Sequence, residues 1–262
     1  MKLIAELATT HGGDLDNAIE MIRVAKSSGA GCVKFQHVNP LHFKPDAVWR
    51  GWNLRDWYKR CYWNEGQWRQ IMKECDYAGV EFLCTPQTLG DLDELIRWGV
   101  HQVKVSSDNL TNLPMLHRIV ETQLDCYFSI GMADQDDLDR ALGILSNSPA
   151  TNTLMVCTSL YPCPADQVHL NRVWALLGAP CDLGFSDHTE SNTAAVMAYG
   201  MGCRAFEKHL SALMGVGPDA DIGASPSEFT DWTLSLHEAE EIMGSEEIAP
   251  VAGARAALEM TE

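Results

Sequence analysis

Short apolar segments alternate with amphipathic segments along almost the whole chain, and no other feature of the sequence constrains the fold as strongly. The apolar segments are rich in Val, Ile, Leu, Phe and Cys, which is typical of short strands buried on both faces of a parallel sheet. The amphipathic segments repeat apolar residues every three or four positions, which predicts helices. Eight strand–helix pairs predict an α/β fold, a (β/α)8 TIM barrel, formed as a single domain by residues 1–262. A doubly wound open sheet is the competing architecture.

The boundaries of these segments follow from the periodicity and from a capping residue such as Asp14 or a terminating residue such as Gly29. The predicted strands cover residues 2–8, 32–36, 80–84, 101–105, 126–130, 153–157, 181–185 and 203–210. The predicted helices cover the segment between Asp14 and Gly29, and then residues 65–78, 89–99, 111–122, 134–146, 167–178, 190–201 and 226–243. A long loop rich in tryptophan separates the second strand from the second helix.

The charge of the chain excludes some classes of partner. The sequence holds 36 acidic and 19 basic residues, a formal net charge of −17, which argues against binding to nucleic acid or to an anionic membrane. No apolar run approaches the ~18 residues of a membrane span, and Glu6 makes the N-terminus a poor secretory signal. Nine cysteines are present without a CxxC pair. We therefore expect a reduced, cytoplasmic protein that binds neither nucleic acid nor membranes.

Polar residues stand at the carboxyl end of every predicted strand, which is where the active sites of barrel enzymes lie. These residues are Glu6, Lys34, Gln36, Thr85, Lys104, Ser106, Ser107, Ser129, Thr158, Ser159, Tyr161, Ser186, Asp187, His188, Glu207, Lys208 and His209. Solvated loops would not require a group able to bind an anion, a metal or a proton at each of eight strand ends. The pattern therefore predicts an enzyme.

Two lysines, Lys34 and Lys104, follow valines inside apolar strands. Lysine is rarely buried without a partner, so the pair indicates a bound dianion such as a phosphate, with help from nearby hydroxyls. Those hydroxyls belong to Thr85, Ser107, Ser129 and Ser186. Two alternatives stay open at this point. The lysines pair internally with Glu6 or Glu207, or one of them forms a Schiff base, which also favours apolar burial.

Two histidines, His188 and His209, end neighbouring predicted strands. Adjacent strands lie about 5 Å apart, so both imidazoles can reach one divalent cation. Such a site leaves positions for substrate oxygens and suits a Lewis-acid role. The alternative is that each histidine is an ordinary core or surface residue. Strand alternation puts Glu207 on the same side as His209 and turns Lys208 away from it.

Together these motifs resemble the catalytic barrel of the N-acetylneuraminate (sialic acid) synthase family, whose members condense phosphoenolpyruvate with an amino-sugar aldehyde. The matching stretches run in the family's order from residue 4 to residue 219. They are IAELATTHGGDLDNAIEMIRVAKSSGAGCVKFQ, FLCTP, VKVSSDNLTNLPML, FSIGMA, CTSLYPCP, GFSDHT, FEKHL and GPD.

The resemblance implies a role for each matching position. The phosphoenolpyruvate-binding groups are Lys34, Thr85, Lys104, Ser107, Ser129 and Ser186; the metal ligands are His188 and His209; the catalytic groups are Glu6, Glu207, Lys34 and Lys104; the sugar-side groups are Tyr161 and Asp219. It also implies Mn²⁺, with Mg²⁺ or Co²⁺ as alternatives. The implied product is a 3-deoxy-2-keto acid, formed when phosphoenolpyruvate attacks the aldehyde, water adds at C2, and phosphate leaves by C–O cleavage.

Four departures from the family pattern concern the sugar side. The usual NHNG appears as THGG, the usual acid of one motif aligns with Asn109, Ser159 replaces an Asn found in some members, and GPDH becomes GPDAD. We therefore expect Asn109 and Ser159 to bind an altered acceptor, an aldose or another aldehyde.

The family normally carries a C-terminal antifreeze-like domain that completes the sugar site of a dimer partner. We expect no such domain here, since the chain ends at Glu262, so another element, a homo-oligomer or a partner protein closes the site. One candidate lid is the Trp-rich segment, residues 37–68, which is alternatively an interface or core patch. Competing functions are a pyruvate-type lyase or aldolase on the same barrel and a non-catalytic or partner-dependent subunit.

Overall fold

Eight parallel strands close into a barrel in the computed structural model, which describes residues 1–211, 215–249 and 254. The described strands are, in chain order, β1 Lys2–Ala8, β2 Cys32–His37, β3 Val48–Trp49, β4 Trp52–Asn53, β5 Glu81–Pro86, β6 Gln102–Val105, β7 Asp125–Ser129, β8 Asn152–Val156, β9 Asp182–Asp187 and β10 Ala205–His209. Strand β1 pairs with both β2 and β10, which closes the barrel. The predicted (β/α)8 barrel is therefore confirmed, and the doubly wound open sheet is excluded.

Helices follow the barrel strands. The described α-helices are α1 Leu15–Ser27, α2 Leu54–Cys61, α3 Glu65–Ala78, α4 Leu89–Trp98, α5 Leu113–Thr122, α6 Gln135–Leu145, α7 Asn171–Ala175, α8 Thr193–Gly200 and α9 Pro226–Met243. Except in α7 and α8, a side chain satisfies a free backbone group at the start of each of these helices, as when Asp14 accepts a hydrogen bond from Asn17 N at the start of α1. Helix α3 ends where Gly79 adopts a φ of 66°, a conformation that glycine reaches without steric cost.

The inner face of the barrel is arranged in layers because alternate residues of each strand point inward. At the amino ends of the strands, Lys2 pairs with Glu81 at 2.8 Å. Above them, one residue from each of six strands forms an apolar cluster: Ile4, Cys32, Leu83, Tyr127, Met155 and Ala205. Two residues further along the same strands, polar side chains such as Glu6 and Lys34 face a cavity. The apolar layer thus forms the base on which the polar layer stands.

The predicted helix 167–178 differs from the structure. A short 3₁₀ turn, Ala165–Gln167, is followed by α7, which covers Asn171–Ala175 alone. His169 between them has a φ of 51°, a left-handed conformation that interrupts a right-handed helix. The Trp-rich segment, expected as a loop up to the helix at 65, contains the antiparallel β3–β4 hairpin and helix α2.

None of the described helices is both long enough and apolar enough to cross a membrane. The single-domain assignment stays a prediction, because residues 212–214, 250–253 and 255–262 lie outside the described part of the chain.

Candidate active site

A cavity of about 340 Å³ opens at the carboxyl end of the barrel strands. It gathers all but one of the site residues expected from the sequence. They are Glu6, Lys34, Thr85, Lys104, Ser107, Ser129, Ser159, Tyr161, Ser186, His188, Glu207, His209 and Asp219. Residues as far apart in sequence as Glu6 and Asp219 therefore share one space, although their chemical roles stay predictions.

The exception is Asn109, which is not among the described residues that line the cavity. It is buried, its Nδ2 donates to Gln87 O at 3.1 Å, and its Oδ1 accepts a hydrogen bond from Asn112. Its neighbour Asp108 lines the cavity and accepts a hydrogen bond from Gln87 Nε2 at 2.6 Å. The sequence reasoning missed Gln87, although it stands two residues after Thr85 and so continues the same inward-facing row.

Lys34 lies between two carboxylates at the base of the cavity. Its Nζ is 3.1 Å from Glu6 Oε2 and 3.1 Å from Glu207 Oε2, and all three side chains are almost fully buried. Burial acts to lower the pKa of Lys34, but Glu207 and Glu6 outweigh it and hold the pKa above its ordinary value. The internal ion pairs considered as an alternative are therefore present in the structure.

Lys104 is less well paired. Its Nζ donates to Ser129 Oγ at 2.6 Å and lies 3.7 Å from Glu207 Oε1. Burial outweighs this distant carboxylate, so the pKa of Lys104 is lowered. The base of the cavity thus contains one lysine with two close carboxylates and one lysine with none in hydrogen-bonding contact.

The two carboxylates respond oppositely to burial. Burial raises the pKa of Glu6 to about 7 and outweighs the attraction of Lys34, its only nearby cation in direct contact among the described residues. Glu207 is equally buried, but Lys104 and Lys34 together hold its pKa below the ordinary value. At neutral pH Glu207 is therefore ionised, whereas Glu6 exchanges a proton near pH 7.

Two buried hydroxyls at the cavity have no hydrogen-bond partner among the described residues. They are Thr85 Oγ1 and Ser106 Oγ, and both residues line the cavity. A buried hydroxyl without a partner costs about 1–3 kcal/mol. Such unpaired groups beside two lysines are explained if they bind the oxygens of an anionic ligand.

The two histidines line the same cavity, with ring centroids 5.8 Å apart. His188 Nδ1 lies 2.7 Å from Thr158 O and donates to it, so Nε2 carries the lone pair. Ser186 Oγ lies 3.3 Å from this Nε2 but donates to Glu207 Oε1 at 3.0 Å. Burial lowers the pKa of His188 to about 4, and burial with the neighbouring His188 lowers that of His209. Both imidazoles are therefore neutral at pH 7, the form that binds a divalent cation, so this donor set fits a metal.

Tyr161 and Asp219 lie beside the histidines. The Tyr161 ring centroid is 4.2 Å from that of His188 and 5.6 Å from that of His209. Burial raises the pKa of Asp219 to about 6. Asp219 and Asp108 come from loops beyond the strand ends, and we call this region the cavity mouth. Among the described residues, the lysine and arginine side chains that line the cavity are Lys34 and Lys104, both at its base.

The Trp-rich segment divides between core and cavity wall. Trp57, Trp63 and Trp68 are buried, whereas Trp49 is 49% exposed and lines the cavity. Tyr58 from helix α2 also lines it, and its hydroxyl donates to Gln36 Oε1 at 2.8 Å. The segment is therefore partly the core patch that was one alternative and partly a wall of the cavity.

This segment also connects to the base and the mouth of the cavity through hydrogen bonds, the first of them by way of Tyr58 and Gln36. Gln36 Nε2 donates to Glu6 Oε1 at 3.0 Å, which continues the contact from α2 to the base of the cavity. At the tip of the β3–β4 hairpin, Arg50 Nη2 donates to Tyr161 O at 2.6 Å.

A second group of residues could hold a metal ion. His37, Asp91 and Glu94 bring three ligand atoms within 4.8 Å of one another, outside the cavity described above. Their atoms already have partners within the protein: His37 Nε2 lies 2.8 Å from Glu94 Oε2, and Asp91 accepts hydrogen bonds from Asn39 N and Thr88 N. These contacts satisfy the ligand atoms of the group from within the protein.

Comparison with known proteins identifies the family of the chain. The model of the NeuB family matches residues 21–248. The chain belongs to the NeuB family. An N,N'-diacetyllegionaminic acid synthase from Campylobacter jejuni is 30% identical over 261 residues, which cover 92% of this chain and 77% of the relative.

One further relative and one solved structure also resemble the chain. The human N-acetylneuraminate-9-phosphate synthase is 26% identical over 261 residues, covering 93% of this chain and 71% of the relative. The crystal structure of an N-acetylneuraminic acid synthetase from Leptospira borgpetersenii superimposes with a TM-score of 0.87 at 24% identity, covering 98% of this chain and 90% of that one. This likeness shows the shared barrel fold. The sequence resemblance to the sialic acid synthase family is thereby confirmed.

Proposed function

We propose that this NeuB protein condenses phosphoenolpyruvate with an aldehyde to give a 3-deoxy-2-keto acid and phosphate, as a metal-dependent synthase formed by one domain over residues 1–262. The observation that carries the proposal is the base of the cavity, where Lys34 and Lys104 lie among unpaired hydroxyls. Support also comes from the relatives, which are synthases of legionaminic and sialic acids. We further propose a cytoplasmic location, where the nine cysteines, all free in the structure, stay reduced.

The lysines bind the charged end of phosphoenolpyruvate. Lys104 has no carboxylate of the described residues within hydrogen-bonding contact, so its ammonium is available for a phosphate or carboxylate oxygen. Lys34 keeps its charge because Glu6 and Glu207 stabilise it. Hydroxyls complete the anion site, and Thr85 gains the partner that it lacks. These hydroxyls belong to Thr85, Ser107, Ser129 and Ser186.

A divalent cation, Mn²⁺ with Mg²⁺ or Co²⁺ as alternatives, would be held by His188 and His209, and when bound it would polarise the aldehyde oxygen as a Lewis acid. The protein orients the donors through the hydrogen bond from His188 to Thr158 O. The neutral state of both imidazoles keeps their lone pairs free at pH 7.

Glu6 and Glu207 act on the water and the protons of the reaction. C3 of phosphoenolpyruvate forms the new carbon–carbon bond with the aldehyde carbon, and water then adds at C2. Glu6, with a pKa of about 7, takes the proton from this water, while ionised Glu207 stabilises the positive charge that develops at C2. The aldehyde oxygen, which becomes an alkoxide when the carbon–carbon bond forms, receives this proton from Glu6. The bond between C2 and the bridging oxygen then breaks, the proton of the C2 hydroxyl goes to the departing phosphate, and C2 becomes the ketone.

The aldehyde binds toward the cavity mouth. Ser159, Tyr161 and Asp219 supply hydrogen-bonding groups, and Trp49 supplies an apolar surface against which a sugar ring can pack. Arg50 offsets part of the charge of Asp219, but the residues that line the mouth include two acids, Asp108 and Asp219, and neither lysine nor arginine among the described residues. An uncharged aldose fits this charge distribution better than a phosphorylated one.

Phosphate release tests the proposal. The purified protein is incubated with phosphoenolpyruvate, Mn²⁺ and a panel of aldoses, and release is compared with Lys104→Met and with Lys2→Met, which removes a lysine from the opposite end of the barrel. We expect release with at least one acceptor in the wild type and in Lys2→Met, and its loss in Lys104→Met. No release with any acceptor, together with no phosphoenolpyruvate binding, would overturn the proposal.

A second candidate is a lysine-dependent lyase that uses pyruvate, because the lowered pKa of Lys104 also suits an amine nucleophile. Borohydride treatment in the presence of pyruvate separates the two functions. The synthase predicts no covalent adduct, whereas the lyase predicts a reduced adduct on Lys104 that mass spectrometry detects.

A further inference from the structure

Two residues that play no part in the proposed chemistry stand directly before the two histidines. Asp187 precedes His188 at the end of β9, and Lys208 precedes His209 at the end of β10. They are register partners across these two strands. Because the histidines point into the cavity, strand alternation turns Asp187 and Lys208 to the outer face of the barrel.

On that face the two side chains form a buried ion pair. Lys208 Nζ lies 3.2 Å from Asp187 Oδ2, and the side chains are 9% and 0% exposed. The ammonium also donates to Thr189 O at 2.6 Å. Lys208 therefore connects the end of β10 both to the carboxylate of β9 and to the backbone that continues beyond His188.

Asp187 extends this network in two further directions. Its Oδ1 accepts a hydrogen bond from Thr189 N at 2.9 Å, and its Oδ2 accepts one from Trp232 Nε1 of α9 at 3.0 Å. The carboxylate is therefore fixed by a lysine, a backbone amide and a fully buried indole. We call this network of Asp187, Lys208, Thr189 and Trp232 the outer ion-pair network.

The two histidines differ in how their rings are held. His188 is oriented by its hydrogen bond to Thr158 O. Within the described part of the chain, His209 makes no side-chain hydrogen bond, so its ring position depends on ring contacts with Tyr161 and His188 and on the backbone of β10. Lys208 is the adjacent residue and anchors that backbone to β9.

We propose that Lys208 and Asp187 are positioning residues for the metal site, and that they set the separation of the His188 and His209 imidazoles. The inference rests on the proposed metal role of these histidines. A site with two protein ligands has no third ligand to correct their spacing, and metal–ligand distances tolerate deviations of only about 0.2 Å. Supporting residues outside the ligand set typically contribute ten- to hundredfold to metal affinity.

A purely structural ion pair would contribute to folding stability but not to metal affinity. A double variant separates this structural role from the positioning role. Lys208→Met leaves a buried carboxylate without its cation, which destabilises the fold. Adding Asp187→Asn removes that unpaired charge, and the asparagine oxygen still accepts from Trp232, although the amide nitrogen replaces the oxygen that accepts from Thr189 N. We therefore expect stability to recover in part in the double variant, whereas metal affinity stays low because the link between the two strand ends is still absent.

The experiment measures Mn²⁺ binding by calorimetry and the midpoint of urea unfolding for the wild type, Lys208→Met, Asp187→Asn and the double variant. Lys2→Met is the matched control, because it breaks a lysine–carboxylate pair at the other end of the barrel. We expect the dissociation constant for Mn²⁺ to rise ten- to hundredfold in Lys208→Met and in the double variant, and to stay within twofold in the control.

Each other outcome is decisive. Wild-type affinity in Lys208→Met, or recovery of affinity together with stability in the double variant, overturns the positioning role and leaves the proposed function intact. If the wild type itself binds no Mn²⁺, the proposed metal role fails together with this inference.

Discussion

Replacing Glu6 by Gln should remove a pH dependence of folding stability that the wild type shows between pH 4.5 and about 7. Burial raises the pKa of Glu6 from 4.5 to about 7, so the folded protein binds this proton more tightly than the unfolded chain does. The favourable contribution of the protonated carboxyl is complete below pH 4.5 and is lost as the pH rises through 7. At about 1.4 kcal/mol per pKa unit, the loss amounts to about 3 kcal/mol.

The glutamine variant is a close control because it keeps the shape of the side chain and an oxygen that accepts from Gln36. Lys34 retains Glu207 as a partner at 3.1 Å in the variant. Urea unfolding of both proteins at pH 4.5, 6, 7 and 8 gives the difference in free energy of unfolding. We expect the wild type to lose about 3 kcal/mol relative to Glu6→Gln across this range. Parallel curves for the two proteins would refute the account of the Glu6 ionisation.

Three other predictions concern ligand binding and packing. Thr85→Val should weaken phosphoenolpyruvate binding about tenfold, as measured by calorimetry, with little effect on the free energy of unfolding. Thr233→Val loses a hydrogen bond to a backbone carbonyl, so it should lower the free energy of unfolding and leave phosphoenolpyruvate binding unchanged. Equal effects of the two variants on binding and on unfolding would contradict this prediction. Gly184→Ala places a Cβ 2.7 Å from Ala205 O and should lower the free energy of unfolding by about 1–3 kcal/mol. Gly143→Ala places a Cβ in open space on helix α6 and should raise the free energy of unfolding by about 0.5–1 kcal/mol. A phosphate at the distal end of the acceptor should lower kcat/KM at least tenfold, on the order of 1.4 kcal/mol, because the acids of the cavity mouth repel the phosphate. Equal kcat/KM values for the phosphorylated and the unphosphorylated acceptor would refute this prediction.

The barrel and the membership of its polar layer were predictable because both depend on strand periodicity. Once the strands are correctly counted, i and i+2 alternation places Glu6, Lys34 and Lys104 in one layer without knowledge of any contact. The same rule correctly turned Lys208 away from the cavity. Asn109 shows the limit of the rule, because it follows β6 in a 3₁₀ turn where strand alternation no longer holds.

The remaining features depend on distances that no sequence pattern encodes. Whether Lys34 pairs with Glu6, with Glu207 or with a ligand is decided by how three strands meet, and the structure shows both carboxylates at 3.1 Å. The late start of α7, relative to the predicted helix 167–178, follows from the left-handed conformation of His169, which the apolar periodicity of this segment does not indicate. The division of the tryptophans between core and cavity wall likewise arises from the packing of α2, a helix that the pattern did not indicate.

The fate of one oxygen atom tests the central claim most directly. Phosphoenolpyruvate labelled with ¹⁸O at the bridge between C2 and phosphorus is incubated with the protein, Mn²⁺ and the acceptor that gives most phosphate release. Mass spectrometry of the products then shows which bond has broken. The account predicts that the label appears in phosphate and that the new C2 oxygen comes from water. Label retained in the organic product would show P–O cleavage and would contradict the proposed reaction.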